Sequence, residues 1–115
     1  KGKEFYLLAG SASFFLDLLI DGGIGGVLSL ANVFPAECAR LYTAFKDGNI
    51  GQAKTLNERL VGLNKRVSGF RGVAAVKGAM DLLNYTGGEP RHPLKPLTEE
   101  QKKALEANIR ELGFI

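Results

Sequence analysis

Two short apolar runs, Phe5-Tyr6-Leu7-Leu8-Ala9 and Val27-Leu28-Ser29-Leu30, are separated by one stretch of helical periodicity. No other feature constrains the fold as much. The first run is ended by Gly10 and reads as a strand buried on both faces. Ser11 and Ser13 can cap the segment that follows, where Phe14, Phe15, Leu18 and Leu19 fall at helical spacing and Asp21-Gly22-Gly23 stops the helix. A strand, a helix and a strand in this order predict two parallel strands joined by a crossover, right-handed by default. Such a pair cannot stand alone, because both of its edges and both apolar faces need cover. The sequence therefore predicts further strands, supplied upstream or by a partner chain.

The rest of the chain reads as helices. Pro35 suits a first helical turn, and Cys38, Leu41, Tyr42 and Phe45 form one buried stripe before Gly48. Asn49 with Gln52 resembles a capping box opening a helix with apolar residues at Ala53, Leu56, Leu60 and Leu63. A third stripe, Val73, Val76, Met80 and Leu83, is expected to stop near Gly87-Gly88. The three prolines between Glu89 and Leu97 predict an extended connector. Thr98 with Gln101 forms a last capping box, after which Leu105, Ile109 and Leu112 are expected to face inward.

Composition excludes several functions. At 115 residues, 45% apolar and 23% charged, the chain is ordinary globular material. Its net charge of +3 is scattered among acids, without the clustered basic face of a nucleic-acid binder. The longest charge-free stretch, Gly22 to Ala36, is too short and glycine-rich to span a bilayer. One cysteine, Cys38, permits no intrachain disulfide, and its place on an apolar stripe reads as an inert core thiol. A single histidine, His92, leaves no multi-histidine metal site. Lys1-Gly2-Lys3-Glu4 is expected to lead straight into structure, with no long apolar run ending in a cleavage site, and the absence of an initial Met suits a fragment or a processed chain. A lone reduced cysteine and no signal fit the cytoplasm, with an organelle-targeting segment still possible upstream.

The cluster Gly22-Gly23-Ile24-Gly25-Gly26 is not a dinucleotide fingerprint: the sixth position from Gly23 is Leu28, and the cluster precedes a strand where the fingerprint must follow one. There is no GK[ST] loop, HExxH or GxSxG. Gly10-Ser11-Ala12-Ser13 at a helix start is compatible with anion binding, but simple capping is the favoured reading.

Order and spacing together resemble one family. Leu8-Ala9-Gly10-Ser11-Ala12 is similar to the seventh barrel strand and following loop of the dihydrodipicolinate synthase/N-acetylneuraminate lyase family of class I pyruvate aldolases. The stretch from Gly22 to Pro35, with Ala31-Asn32 inside it, resembles that family's eighth strand and its exit. Ala53 to Leu60, Val76 to Met80, Gly87-Gly88 and Arg91-His92-Pro93-Leu94 are similar to its C-terminal helical region. The resemblance runs from Phe5 to Ile115.

It implies an α/β fold: residues 1–34 would supply the last two parallel strands of a (β/α)8 TIM barrel with the helix between them, and residues 35–115 the final barrel helix and a helical tail. The site would lie at the C-terminal ends of the strands. In the family a lysine on the sixth strand forms a Schiff base with pyruvate, and the protonated imine acts as electron sink for making or breaking the adjacent carbon–carbon bond. A tyrosine on the fifth strand relays protons, and a loop after the second strand binds the carboxylate. The resemblance places all three outside this sequence, so the chain is expected to be inactive alone, and it implies no cofactor and no metal. Lys77 falls in a tail helix, Tyr6 early in its strand, Tyr42 on a core stripe and Tyr85 near a helix end, so none is a stand-in.

Three positions match the family's site wall and would be substrate-binding. Gly10 leaves room for substrate at the end of the seventh strand, with a plain turn into the helix as its alternative role. Val27 matches a residue whose main-chain carbonyl faces the Schiff base, with barrel core as alternative. Ser29 matches a serine that in N-acetylneuraminate lyase contacts the sugar-like tail, and a structural role competes there too. Arg91 is expected to pin the connector through hydrogen bonds. N-acetylneuraminate lyase has a carboxylate where this chain has Ala12, and dihydrodipicolinate synthases often have Gly-Asp-Asp where it has Gly10-Ser11-Ala12. That tripeptide looks more like the 4-hydroxy-2-oxoglutarate aldolase branch. The implied partners are pyruvate or another 2-oxo acid, and either a homo-oligomer or the missing N-terminal part. A non-catalytic helical interaction module is the competing reading.

Overall fold

The computed structural model describes residues 4–115, so the expectation at Lys1-Gly2-Lys3 lies outside the described residues. The elements are β1 (Leu8–Ala9), α1 (Phe15–Ile20), β2 (Gly25–Gly26), α2 (Pro35–Lys46), α3 (Ile50–Arg66), α4 (Ser68–Leu82) and α5 (Glu99–Glu111). Single 3-10 turns precede α1 (Ala12–Phe14) and follow β2 (Ser29–Asn32).

β1 and β2 are parallel, with Leu8 opposite Gly25 and Ala9 opposite Gly26. The Ile24 N–H donates to the Leu7 carbonyl at 3.0 Å and the Val27 N–H to the Ala9 carbonyl at 2.8 Å. The paired segment is shorter than the apolar runs suggest, and the second strand lies earlier. It is Gly25–Gly26, not Val27 to Leu30, and Ser29 already begins a 3-10 turn. Glycine at 26 suits the packing: a Cβ there would lie 3.1 Å from the Phe15 ring and 3.0 Å from Leu28, so those side chains would have to give by a few tenths of an ångström. Phe5, Tyr6, Leu7 and Leu8 are exposed, so the expectation of a strand buried on both faces is not met within these residues. The cause is physical. Faces of a two-stranded sheet are buried only by neighbours, and the helices cover one side.

The core is one cluster running through the whole chain, including Phe15, Leu19, Leu30, Leu41, Leu60, Leu63, Leu105 and Ile109. α2 packs antiparallel-fashion beyond a tight turn in which Gly48 takes φ +77°, and the Asn49 side chain caps α3 by accepting from the Gln52 N–H at 3.2 Å. The third stripe holds at Val76, which is buried, and at Met80 and Leu83, which pack against the core. It fails at Val73, which is exposed. Arg71 and Gly72 break α4 just before it, Gly72 with φ +58° and ψ −136°, and Ala75 and Ala79 are buried with Val76. α4 also ends earlier than Gly87-Gly88, at Leu82, with Asn84 in the left-handed region at φ +66°.

The capping box of α5 forms as its sequence predicts: the Thr98 hydroxyl accepts from the Gln101 N–H at 3.2 Å, and the Gln101 side chain accepts from the Thr98 N–H at 3.0 Å. Thr98→Ala is expected to cost about 1 kcal/mol in urea unfolding, and Thr98→Asp to keep most of it. Equal midpoints for Thr98→Ala and the parent would remove the cap from the account. Beyond α5, Phe114 packs on Phe34 at 4.6 Å between ring centroids and under the Arg59 guanidinium at 4.5 Å, which returns the C-terminus to α2 and α3. No helix among the described residues is long and apolar enough to cross a membrane.

Candidate functional site

In a parallel sheet the strand C-termini share one edge, and the residues just beyond them form the natural site. Here the register that pairs Ala9 with Gly26 sets Gly10 beside Val27 at that edge. Gly10 is exposed, and a Cβ on it would meet nothing within 4 Å. Its φ is not in the left-handed region either. Neither torsion nor packing among the described residues therefore requires a glycine at 10.

Val27 is 73% exposed, an unusual state for a branched apolar side chain immediately after a strand. Its N–H is spent on Ala9, and among the described residues no backbone donor reaches its carbonyl. Ser29 stands apart from this pair. Its hydroxyl is 2.9 Å from that of Ser68 at the start of α4, and its carbonyl accepts from the Asn32 amide at 3.1 Å. A cavity of about 470 Å3 lies between this turn and α4, lined by Ser29, Asn32, Ser68, Val76 and Lys77 among others.

The stretch after Gly10 is built from hydroxyls. Ser11 accepts from the Ser13 N–H at 3.2 Å and so caps the 3-10 turn. Ala12 is buried at 1% exposure, on the core side of that turn. A carboxylate at position 12 would be desolvated in this setting.

The sequence reading missed Asn64 and Ser68. Asn64 is buried, and its amide donates to the Ser13 hydroxyl at 2.8 Å and to the Ser11 hydroxyl at 3.3 Å. A signal existed: Asn64 follows Leu60 by four residues and so interrupts an apolar stripe with a polar group. Ser68 had none, because nothing in the local pattern marks the break between α3 and α4 at Val67.

The tempting reactive groups lie elsewhere. The Lys77 ammonium donates to the Gly87 carbonyl at 2.9 Å and ties α4 to the connector. Cys38 is buried, and desolvation followed by the negative charge of Glu37 raises its pKa to about 11. A thiol so protonated is a poor nucleophile. Tyr6 precedes the short β1 and its hydroxyl donates to Glu4 at 2.8 Å. Arg91 has an exposed side chain and holds the connector through its carbonyl, which accepts from the Leu94 N–H at 3.0 Å. No cluster of three or more metal-ligating side chains occurs among the described residues.

Comparison with known proteins supplies the context of this edge. The dihydrodipicolinate synthetase family matches residues 1–112. A 4-hydroxy-tetrahydrodipicolinate synthase of Methanopyrus kandleri is 31% identical over 112 residues, which cover 97% of this chain and 37% of that protein. The structure of a dihydrodipicolinate synthase from Thermotoga maritima superposes with a TM-score of 0.84 at 26% identity, over 96% of this chain and 38% of that one. KD(P)GA from T. tenax superposes with a TM-score of 0.80 at 30% identity, over 90% of this chain and 37% of that one. The chain thus spans under two fifths of the length of these relatives. Its two parallel strands and helices correspond to the C-terminal part of their TIM-barrel fold. By extent of match and by fold, the chain belongs to the dihydrodipicolinate synthetase family.

Proposed function

We propose that this chain forms part of the site wall of a Schiff-base aldolase or synthase, which makes or breaks a carbon–carbon bond next to a pyruvate unit. Gly10 is the observation that carries the reading. A glycine that neither its torsion nor its surroundings require is explained by something that approaches from outside these residues, and a substrate at the strand C-termini is such an object. Val27 beside it offers to the same space a carbonyl that no backbone donor among the described residues reaches. The lysine that forms the imine lies outside this chain, and these residues supply shape and polar contacts rather than the reacting amine.

The exposed apolar residues before β1 support the same reading, since they are the surface that further barrel strands would cover. Buried Ala12 disfavours a subsite for a polyhydroxyl tail at that position. Among the family's substrates this supports pyruvate with a short aldehyde partner, of the 4-hydroxy-2-oxoglutarate or 4-hydroxy-tetrahydrodipicolinate type.

The test is borohydride reduction in the presence of pyruvate, with peptide mapping, on the polypeptide that carries the remaining strands. A stable adduct is expected on a lysine outside these 115 residues, and none on Lys77. An adduct on Lys77, or no adduct anywhere, would overturn the reading. Cleavage of 4-hydroxy-2-oxoglutarate measured against 4-hydroxy-tetrahydrodipicolinate formation separates the two branches.

A further inference from the structure

We infer that Asn64 is a positioning residue for the site: its side chain sets where the chain runs as it leaves β1, and so where Gly10 presents its backbone. The inference rests on the functional reading above. Asn64 is the one buried polar residue among the described residues. It sits in the last turn of α3 and reaches across to a segment more than fifty positions away, donating to both Ser13 and Ser11. Ser11 directly follows Gly10, and its hydroxyl also accepts from the Ser13 N–H. One amide therefore closes a three-membered polar knot over the first turn beyond the strand.

Stability alone does not call for this arrangement. Ser13 is exposed and Ser11 half-buried, so water would satisfy both hydroxyls if Asn64 were apolar. Burying an amide costs free energy that its hydrogen bonds offset with little surplus. A leucine here would continue the stripe of Leu60 and Leu63. What the amide adds is direction: two hydrogen bonds fix both the distance and the rotation of the Ser11–Ser13 turn relative to α3, which apolar packing leaves free to slide.

The second strand is held in the same way. Ser68, four residues on and across the break at Val67, bonds Ser29 two residues beyond Val27. The α3–α4 junction thus grips the exits of both strands, Asn64 on one side and Ser68 on the other. Gly10 and Val27 lie between these grips, joined by the Val27-to-Ala9 hydrogen bond.

The experiment uses the full-length protein with pyruvate and the aldehyde partner of its reaction. It compares the parent with Asn64→Leu, which fills the space without donating, and Asn64→Asp, whose carboxylate can accept from the two serine hydroxyls and restore the knot with reversed polarity. Asn64→Leu is expected to lower kcat about tenfold, while borohydride trapping of pyruvate and the melting temperature stay near the parent's. The imine lysine lies outside the knot, so trapping should be spared. Asn64→Asp is expected to recover most of the lost kcat, since its carboxyl can pair with the serine hydroxyls whether ionised or protonated. Unchanged kcat in Asn64→Leu overturns the inference. So does a loss in which kcat, trapping and melting temperature fall together and Asn64→Asp recovers none of them, for that is a folding defect. A parent protein that traps no pyruvate overturns the functional reading itself, and is told apart by needing no variant.

Discussion

Replacing Gly87 with alanine is expected to destabilise the fold by about 3 kcal/mol, the upper end for overpacking. A Cβ at this position would lie 2.1 Å from the Lys77 carbonyl oxygen, 2.7 Å from its carbonyl carbon and 2.9 Å from its Cα. All three are backbone atoms in the middle of α4, so no side chain can swing aside. Two hydrogen bonds hold the glycine in this position. Its N–H donates to the Asp81 carboxylate at 2.8 Å, and its carbonyl accepts from the Lys77 ammonium at 2.9 Å. Alanine must break this clamp and lift the connector off α4. The connector carries Leu97 into the core against Gly78 and delivers Thr98 to cap α5, so the loss should spread to the last helix. Gly88→Ala is the control. Gly88 has φ +72° and open space around it, so an added methyl meets only the backbone penalty of about 1 kcal/mol. Thermal unfolding in which Gly88→Ala is the worse of the two would reject the clamp.

Leu63→Ala is expected to cost about 3 kcal/mol as well, by a different route. Leu63 is fully buried in α3, the helix against which α1, α2, α4 and α5 all pack. Removing its branched end leaves a cavity in the core, and rigid helices relax only in part around it. Leu56, on the same helix but half-buried, should cost about 1 kcal/mol on truncation, since water and neighbours can fill its place. Urea unfolding should show the ordering, with a lower midpoint for Leu63→Ala. Equal midpoints for the two variants would mean that α3 is not the centre of the core.

Much of the helical half was legible in advance because its determinants are local. The Thr98–Gln101 box, the Asn49 cap, the stop at Gly48 and the inward Leu105 and Ile109 each depend on residues within two turns of one another. The third stripe holds at Val76, Met80 and Leu83 and fails at Val73, which follows the break at Arg71–Gly72; Ala75 and Ala79 share the buried face with Val76. Small residues give weak periodic signals, yet they decide how closely helices approach. The second strand lies earlier than its apolar residues suggest because they flank it: the paired segment is two glycines, of which Gly26 packs closely on Phe15 and Leu28.

For the site, the sequence by itself determined the strand–helix–strand order and the family resemblance, from which the wall positions Gly10, Val27 and Ser29 and an imine lysine outside this chain are proposed. Only the tertiary structure decided that Gly10 and Val27 stand side by side while Ser29 turns toward Ser68, and that Asn64 ties the exit of β1 to α3. Adjacency across fifty residues depends on register and on helix packing, which are long-range. Local periodicity carries no information about which buried amide meets which hydroxyl.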